Sequence, residues 1–296
     1  MKKIAVFSRY SKHVDFRFLW ELLERVEDSG YQLVLEHNFA TFARKQYRFR
    51  NPPDIFQGYK DLPRDAELFL TYGGDGTILR AATIIRDTGI PIMGINAGRL
   101  GFLADIPKEN VITAWERYLK KEFFVQARSL LSVQTDPAIK FVKEINFALN
   151  ELTITRKDTT SMINVEVYVD DEFLSTYWAD GLIVATPTGS TGYSLSCGGP
   201  ILTPDTKDFI ITAIAPHNLT VRPLVLPDHH RIRLKAHGRE KQFLLSLDSR
   251  VSTVPYGTEI HVSRASFKLY FIRLQDYTFI RTLRRKLFWG YDNRNA

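Results

Sequence analysis

An apolar run, Glu67-Leu68-Phe69-Leu70-Thr71-Tyr72, ends in Gly73-Gly74-Asp75-Gly76-Thr77. This strand with its glycine-rich turn constrains the architecture more than any other segment. Glycines let backbone N–H groups approach an anion with no side chain in the way. A helix starting near Thr77 would aim its positive end at the same point. Gly73, Gly74, Gly76 and Thr77 are therefore expected to hold phosphate. The carboxylate of Asp75 repels phosphate unless chemistry needs it. It suits a proton acceptor for a hydroxyl being phosphorylated, or a metal contact. The segment points to a kinase.

The first 120 or so residues alternate strand and helix patterns. Ile4–Ser8 reads as a buried strand, and Phe16, Leu19, Leu22, Leu23 and Val26 recur at helical spacing before Gly30. Gln32–Glu36 is a second strand. Arg44–Leu62, with Pro52 and Pro53, reads as a loop. A helix over Ile78–Arg86, a strand over Ile90–Ile95 and a helix carrying Val111, Ile112, Trp115 and Leu119 inward complete the set. Such alternation predicts a Rossmann-like parallel sheet covered by helices, with ligands beyond the carboxyl ends of its strands.

After about residue 123 the pattern becomes period-two. Asn164–Asp170 alternates cleanly, as do parts of His230–Lys235, Gln242–Leu247 and Glu259–Val262, with a turn at Asp170-Asp171. The expectation is an all-β second domain over residues 123–271. Tyr277–Phe288 reads as a helix with Ile280, Leu283 and Leu287 on one side. Residues 272–296 are expected to return to the α/β domain of residues 1–122.

The chain has 296 residues and one cysteine, Cys197. One cysteine allows no intrachain disulfide, which fits a reducing compartment; no signal peptide or membrane span is visible, so the cytoplasm is expected. The net charge is +7. Its arginines and lysines are scattered apart from Arg281, Arg284, Arg285 and Lys286, which argues against nucleic acid as a partner. A Walker phosphate loop, a Gly-x-Gly-x-x-Gly after the first strand, a hydrolase nucleophile elbow and zinc-spaced ligands are all absent.

Two further segments carry chemistry. Asn150-Glu151 lies in an expected strand and offers donors and acceptors to a ribose or base edge. Asp180–Pro200 runs from a buried strand into a loop rich in serine and threonine hydroxyls, with Gly189, Gly192, Gly198 and Tyr193. Tyr193 could stack on a flat ring. Cys197 has no visible base partner and reads as a packing residue.

These segments, in this order, resemble the NAD kinase family, as do Asn96–Leu103 and Pro216–Leu224. The Gly-Gly-Asp-Gly-Thr turn alone is shared with lipid kinases, and a dinucleotide sensor without catalysis is a further alternative. The resemblance implies an α/β domain followed by an all-β sandwich domain. It implies Mg²⁺-dependent transfer of a phosphoryl group from ATP to the 2′-hydroxyl of the adenosine ribose of NAD. It also implies roles: Asp75 as base, Gly76 against the substrate, Arg80 toward the pyrophosphate or incoming phosphate, and Asn150 and Glu151 on the adenosine half. Asp180 would contact the nicotinamide side. Thr191, Gly192, Tyr193, Ser194 and Ser196 would line the dinucleotide, and Ser161 and Trp178 stand where some members contact it. Gly192 replaces the commoner alanine, a change expected to be tolerated, and Arg250 the commoner glutamine. No resident protein metal site is expected, and a homodimer or homotetramer is.

Overall fold

The structure, a computed structural model, describes residues 1–9, 14–98, 101–158 and 162–287. The chain forms two compact units, Met1–Ala127 with the chain from Leu269 onward, and Arg128–Lys268.

The sheet of the first unit runs, in spatial order, Asp54–Phe56, Gln32–Glu36, Lys3–Ser8, Ala66–Gly73, Ile92–Asn96, Leu269–Leu274 and Phe123–Arg128, with Ile106–Pro107 also beside Ile92–Asn96. Pairing is parallel from Asp54–Phe56 across to Leu269–Leu274. The chain steps outward from Lys3–Ser8 in one direction and then, from Ala66–Gly73, in the other. The order therefore reverses between these two strands, and the glycine turn follows Ala66–Gly73 at that switch point, where open α/β sheets bind ligands. Helix Arg17–Asp28 buries Leu19, Leu22, Leu23 and Val26 against this core, and Gly30, at φ +80°, lets the chain turn away.

Four sequence expectations are corrected here. Arg44–Leu62 is not all loop, because Asp54–Phe56 pairs with Gln32–Glu36 as the edge strand. The turn helix begins at Asp75 and ends at Ile85, and the next strand begins at Ile92. Leu119 is 42% exposed, so Val111, Ala114 and Trp115 alone supply the fully buried face of that helix. The last helix is Phe279–Leu287, and Ile280 is 58% exposed while Thr282 and Leu283 are buried. Phe288 lies outside the described residues.

The second unit is a β-sandwich of two six-stranded antiparallel sheets. Period-two alternation turns Leu152, Ile154, Leu182, Val184, Phe243 and Leu245 of one sheet toward Val165, Val167, Leu234, Ile260 and Val262 of the other. Asp170 and Asp171 have φ of +49° and +69° and connect strands Ile163–Val169 and Glu172–Ala179. Two positive φ values in sequence suit the two-residue hairpin turn whose twist matches its strands. The Gly181–Ala185 strand is buried on both faces. On its outer face Ile183 and Ala185, with Ile210 of the paired strand Asp208–Ile214, are covered by Cys197 and Leu202 of the chain that follows. Cys197 is thus a packing residue, and burial pushes its thiol up.

Candidate functional site

In the first unit the site is built around Asp75. Gly74, extended, precedes the helix, and its carbonyl accepts the Thr77 N–H at 2.9 Å. A Cβ on Gly73 would lie 2.2 Å from Thr77 Oγ1, so only glycine allows this close return of the chain. The N–H groups at the start of the helix that precede Thr77, those of Asp75 and Gly76, have no partner within the helix and are the donors a phosphate would meet.

The Asp75 carboxylate reaches out of its helix to a second segment. Oδ2 accepts the Phe102 N–H at 2.8 Å, and Oδ1 accepts the N–H groups of Leu103 and Ala104, each at 3.1 Å. A carboxylate offers about four lone-pair directions, so one on Oδ2 is left for a further hydrogen. Gly101 sits against the same side chain: a Cβ there would lie 1.7 Å from Oδ1. The segment is held from its other side. Arg273, with no exposed surface, donates to the Leu103 carbonyl at 3.1 Å, pairs with Asp105 and donates to Gln126 Oε1 at 3.2 Å. Asn96 Nδ2 donates to the Ala104 carbonyl at 3.3 Å. Backbone donors therefore fix where Asp75 points, and a buried guanidinium fixes the donors.

In the second unit the polar centre is a pair of carboxyl groups. Asp248 accepts the N–H groups of Leu149 at 3.0 Å, Asn150 at 2.7 Å and Glu151 at 3.3 Å. Glu151 Oε2 is buried with no hydrogen-bond partner. Burial, with the Asp248 charge next in size, pushes the Glu151 carboxyl up to about 8, against one Tyr193 N–H that favours the charge. Burial also pushes Asp248 up. Its three N–H donors and nearby Arg250 favour the charged form, so within this coupled pair we assign the charge to Asp248 and the proton to Glu151. Glu151 is then a hydrogen-bond donor at neutral pH.

The Thr186–Gly199 loop wraps this pair. Gly189 passes so close that a Cβ would lie 2.1 Å from the Asn150 carbonyl oxygen. A Cβ on Gly192 would lie 2.9 Å from Glu151 Oε2 and 3.2 Å from the Gly189 carbonyl oxygen. An alanine there would meet first the end of the flexible Glu151 side chain, so the glycine leaves that carboxyl more room.

The loop's hydroxyls divide into two groups. Thr186, Thr188, Ser190 and Ser194 are buried. Thr186 donates to the Leu149 carbonyl, Ser190 to the Pro187 carbonyl, and Ser194 lies 3.1 Å from Thr212 Oγ1. Ser194, expected to line a ligand, instead supports the loop from beneath. Tyr193 and Ser196 are exposed, and Thr191 is half-buried. Asp180 is half-buried and pairs with Arg156 at 3.0 Å. Arg80 and Gly76 are exposed, and Trp178 is 53% exposed. Arg250 donates to the carbonyls of Ile145 and Phe147, so its guanidinium is committed to backbone. Ser161 lies outside the described residues. Sequence reading missed Asp248 as a site residue, and it missed Arg273, although an arginine inside the apolar Leu269–Leu274 strand is a visible signal.

Residues 21–123 match the ATP-NAD kinase N-terminal domain, and residues 149–274 match the ATP-NAD kinase C-terminal domain. The chain belongs to the ATP-NAD kinase family. A Flavobacterium psychrophilum protein named NAD kinase is 47% identical over 293 residues, covering 99% of this chain and all of its own length (100%). The crystal structure of an NAD kinase from Archaeoglobus fulgidus in complex with ATP has a TM-score of 0.72 at 25% identity, covering 96% of this chain and 97% of its own. The crystal structure of yeast NADH kinase complexed with NADH has a TM-score of 0.88 at 23% identity, covering 99% of this chain and 89% of its own, a likeness of fold. Matches to both domains of one family set aside the lipid-kinase and sensor readings.

Two expectations follow. Gly101→Ala is expected to displace the Asp75 carboxylate and to lower the turnover of NADP formation by on the order of 10²-fold, the effect of a misplacement of about 1 Å at a catalytic site. Steady-state kinetics with a check of folded stability measures it. The second concerns pH. The native state keeps the Glu151 proton that the unfolded chain has released above about pH 4.5. Rising pH between about 4.5 and about 8 therefore destabilises the second unit through this group. Glu151→Gln removes that dependence, so its stability relative to wild type grows as pH rises through this window. Chemical denaturation of both proteins at pH 5, 6.5 and 8, values chosen to bracket it, should show roughly a few kcal/mol of divergence.

Proposed function

We propose that Asp75 takes the proton from the 2′-hydroxyl of the adenosine ribose of NAD as that oxygen attacks the γ-phosphorus of ATP. The reaction is that of the family: phosphoryl transfer from ATP to NAD, giving NADP and ADP. The observation that carries the Asp75 role is its hydrogen bonding. Three backbone donors hold the carboxylate in place and leave one lone pair on Oδ2 unengaged.

Phosphoryl transfer passes through a loose transition state, so positioning and charge neutralisation dominate. The ribose hydroxyl needs little activation early and must lose its proton as the new bond forms. The first-turn N–H groups that follow Gly73 and Gly74 then stabilise phosphate oxygens, with Gly76 and Thr77 beside them. Among the described residues no three His, Cys, Asp or Glu side chains converge. Mg²⁺ characteristically keeps several waters and binds through substrate phosphates and one or two carboxylates. We therefore take Mg²⁺ to arrive as part of the ATP substrate, neutralising its phosphates. After transfer, two negative charges stand beside Asp75. Asp75 is then neutral, holding the proton taken from the hydroxyl; once it passes that proton to solvent, each unit pair at about 4 Å and an effective dielectric near 20 repels by about 4 kcal/mol, which favours release of NADP.

On the resemblance, Arg80 is assigned to the phosphates, and Asn150 and Glu151 to the adenosine half, with Glu151 donating its proton in a hydrogen bond. Asp180 is assigned to the nicotinamide side. Thr191, Gly192, Tyr193 and Ser196 are assigned to the dinucleotide surface, Ser194 to the support of that loop, and Ser161 to the dinucleotide on resemblance alone. The assembly is proposed as a homodimer or homotetramer. Strand Glu172–Ala179 is an edge strand that exposes Phe173, Leu174 and Trp178, an apolar edge that strand pairing between copies would cover. Among the described residues no helix is long and apolar enough to cross a membrane. The lone cysteine supports the cytoplasm as its location.

Purified protein given NAD, Mg²⁺ and ATP should form NADP, read by an NADP-specific dehydrogenase. Asp75→Asn should bind NAD within about tenfold of wild type yet turn over slower by about 10² or more. Near-normal turnover removes Asp75 from the role of base.

A further inference from the structure

The first unit carries a recess lined by none of the residues assigned to the proposed reaction. It lies between the Phe279–Leu287 helix, the Val111–Leu119 helix and the segment from Asp105 to Pro107, and encloses about 350 Å³. That volume is at the lower end of small-molecule sites.

Its lining is rich in donors. Arg117, Arg281 and Arg285 line it together with Asp105 and Asp276. Both acids are already answered. Asp105 pairs with buried Arg273, and Asp276 with Arg117 at 2.7 Å, which holds the Asp276 carboxyl below the usual carboxylate range. Arg281 reaches Asp276 only at 3.9 Å. Arg285 has no ion pair among the described residues. Two cations are thus in surplus. They stand four residues apart on one helix, which places their side chains on the same face. The hydroxyl of Tyr277, a lining residue, is buried with no hydrogen-bond partner. A buried hydroxyl left unsatisfied costs about 1–3 kcal/mol, so a ligand acceptor is favoured there. A neighbouring hollow of about 380 Å³ shares Thr278, Arg281 and Arg285 and adds Arg284, extending the positive field.

We propose that this recess binds a small organic phosphate, its dianionic group held by Arg281 and Arg285 and by the hydroxyls of Tyr277 and Thr278. Adjacent guanidinium forks and hydroxyl donors on one face suit a single tetrahedral dianion better than two separated carboxylates. The rest of the recess, with Thr113, Asn110 and Leu274, offers polar and apolar contacts to the organic part.

Calorimetric titration of the full chain with ribose 5-phosphate, inorganic phosphate and malate tests this. Ribose 5-phosphate should bind saturably with a Kd below about 1 mM, and about tenfold or more tighter than the other two. The exposed pair Arg281→Ala/Arg285→Ala should weaken it by about tenfold or more, and Tyr277→Phe by about threefold or more. Absence of saturable ribose 5-phosphate binding overturns the proposal. So does binding that survives the paired substitution, which would place the sugar phosphate elsewhere on the chain. Malate or inorganic phosphate binding as tightly overturns it as well.

Discussion

Three consecutive backbone N–H groups, those of Phe102, Leu103 and Ala104, converge on the carboxylate of Asp75. The rest of the first unit is arranged around that contact. The parallel sheet brings the ends of Ala66–Gly73 and Ile92–Asn96 side by side, with Gly73 opposite Asn96 in register. The turn after one strand and the segment after the other are therefore neighbours. Arg273, fully buried on Leu269–Leu274, ties that segment down by its Leu103 carbonyl and Asp105. A buried guanidinium is costly unless its donors are answered. Here Nε and Nη1 are answered while Nη2 is buried without a hydrogen-bond partner, and the carbonyl and carboxylate that answer Nη1 belong to the segment that holds Asp75, so desolvation cost and positioning are coupled.

The second unit solves a related problem with the opposite protonation. Asp248 absorbs three backbone donors and can keep its charge, while Glu151 beside it has one buried oxygen with no donor. Two adjacent buried carboxyls cannot both ionise cheaply. The pair therefore separates into an acceptor committed to the backbone and a protonated carboxyl with a buried oxygen that no protein group satisfies. Gly189 and Gly192 allow the loop to close over them without a Cβ in the way.

Much of this was legible in the chain itself. The alternation of strands and helices, and then the period-two strands, identified both layers because each element buries one regular face. The strand Asp54–Phe56 is hard to read because it is only three residues long and follows two prolines, and only Phe56 is buried. Leu119 and Ile280 were placed inward by spacing, but both sit near helix ends, where the covering surface runs out. The Thr186–Gly199 loop was recognisable by composition. Which of its hydroxyls support and which face outward depends on tertiary partners such as Thr212, remote in sequence. Asp248 lies about a hundred residues from the N–H groups it holds, and Asp75 almost thirty from its own, separations that local pattern does not encode.

The central claim is that the unengaged lone pair of Asp75 is aimed at the alcohol to be phosphorylated. A crystal structure of this protein with NAD bound measures that directly. The account predicts the adenosine 2′-oxygen within about 2.6–3.2 Å of Asp75 Oδ2, or one water away, with the Phe102–Ala104 donors still on the carboxylate. An adenosine ribose bound with its 2′-oxygen out of reach of Asp75, directly or through one water, contradicts it.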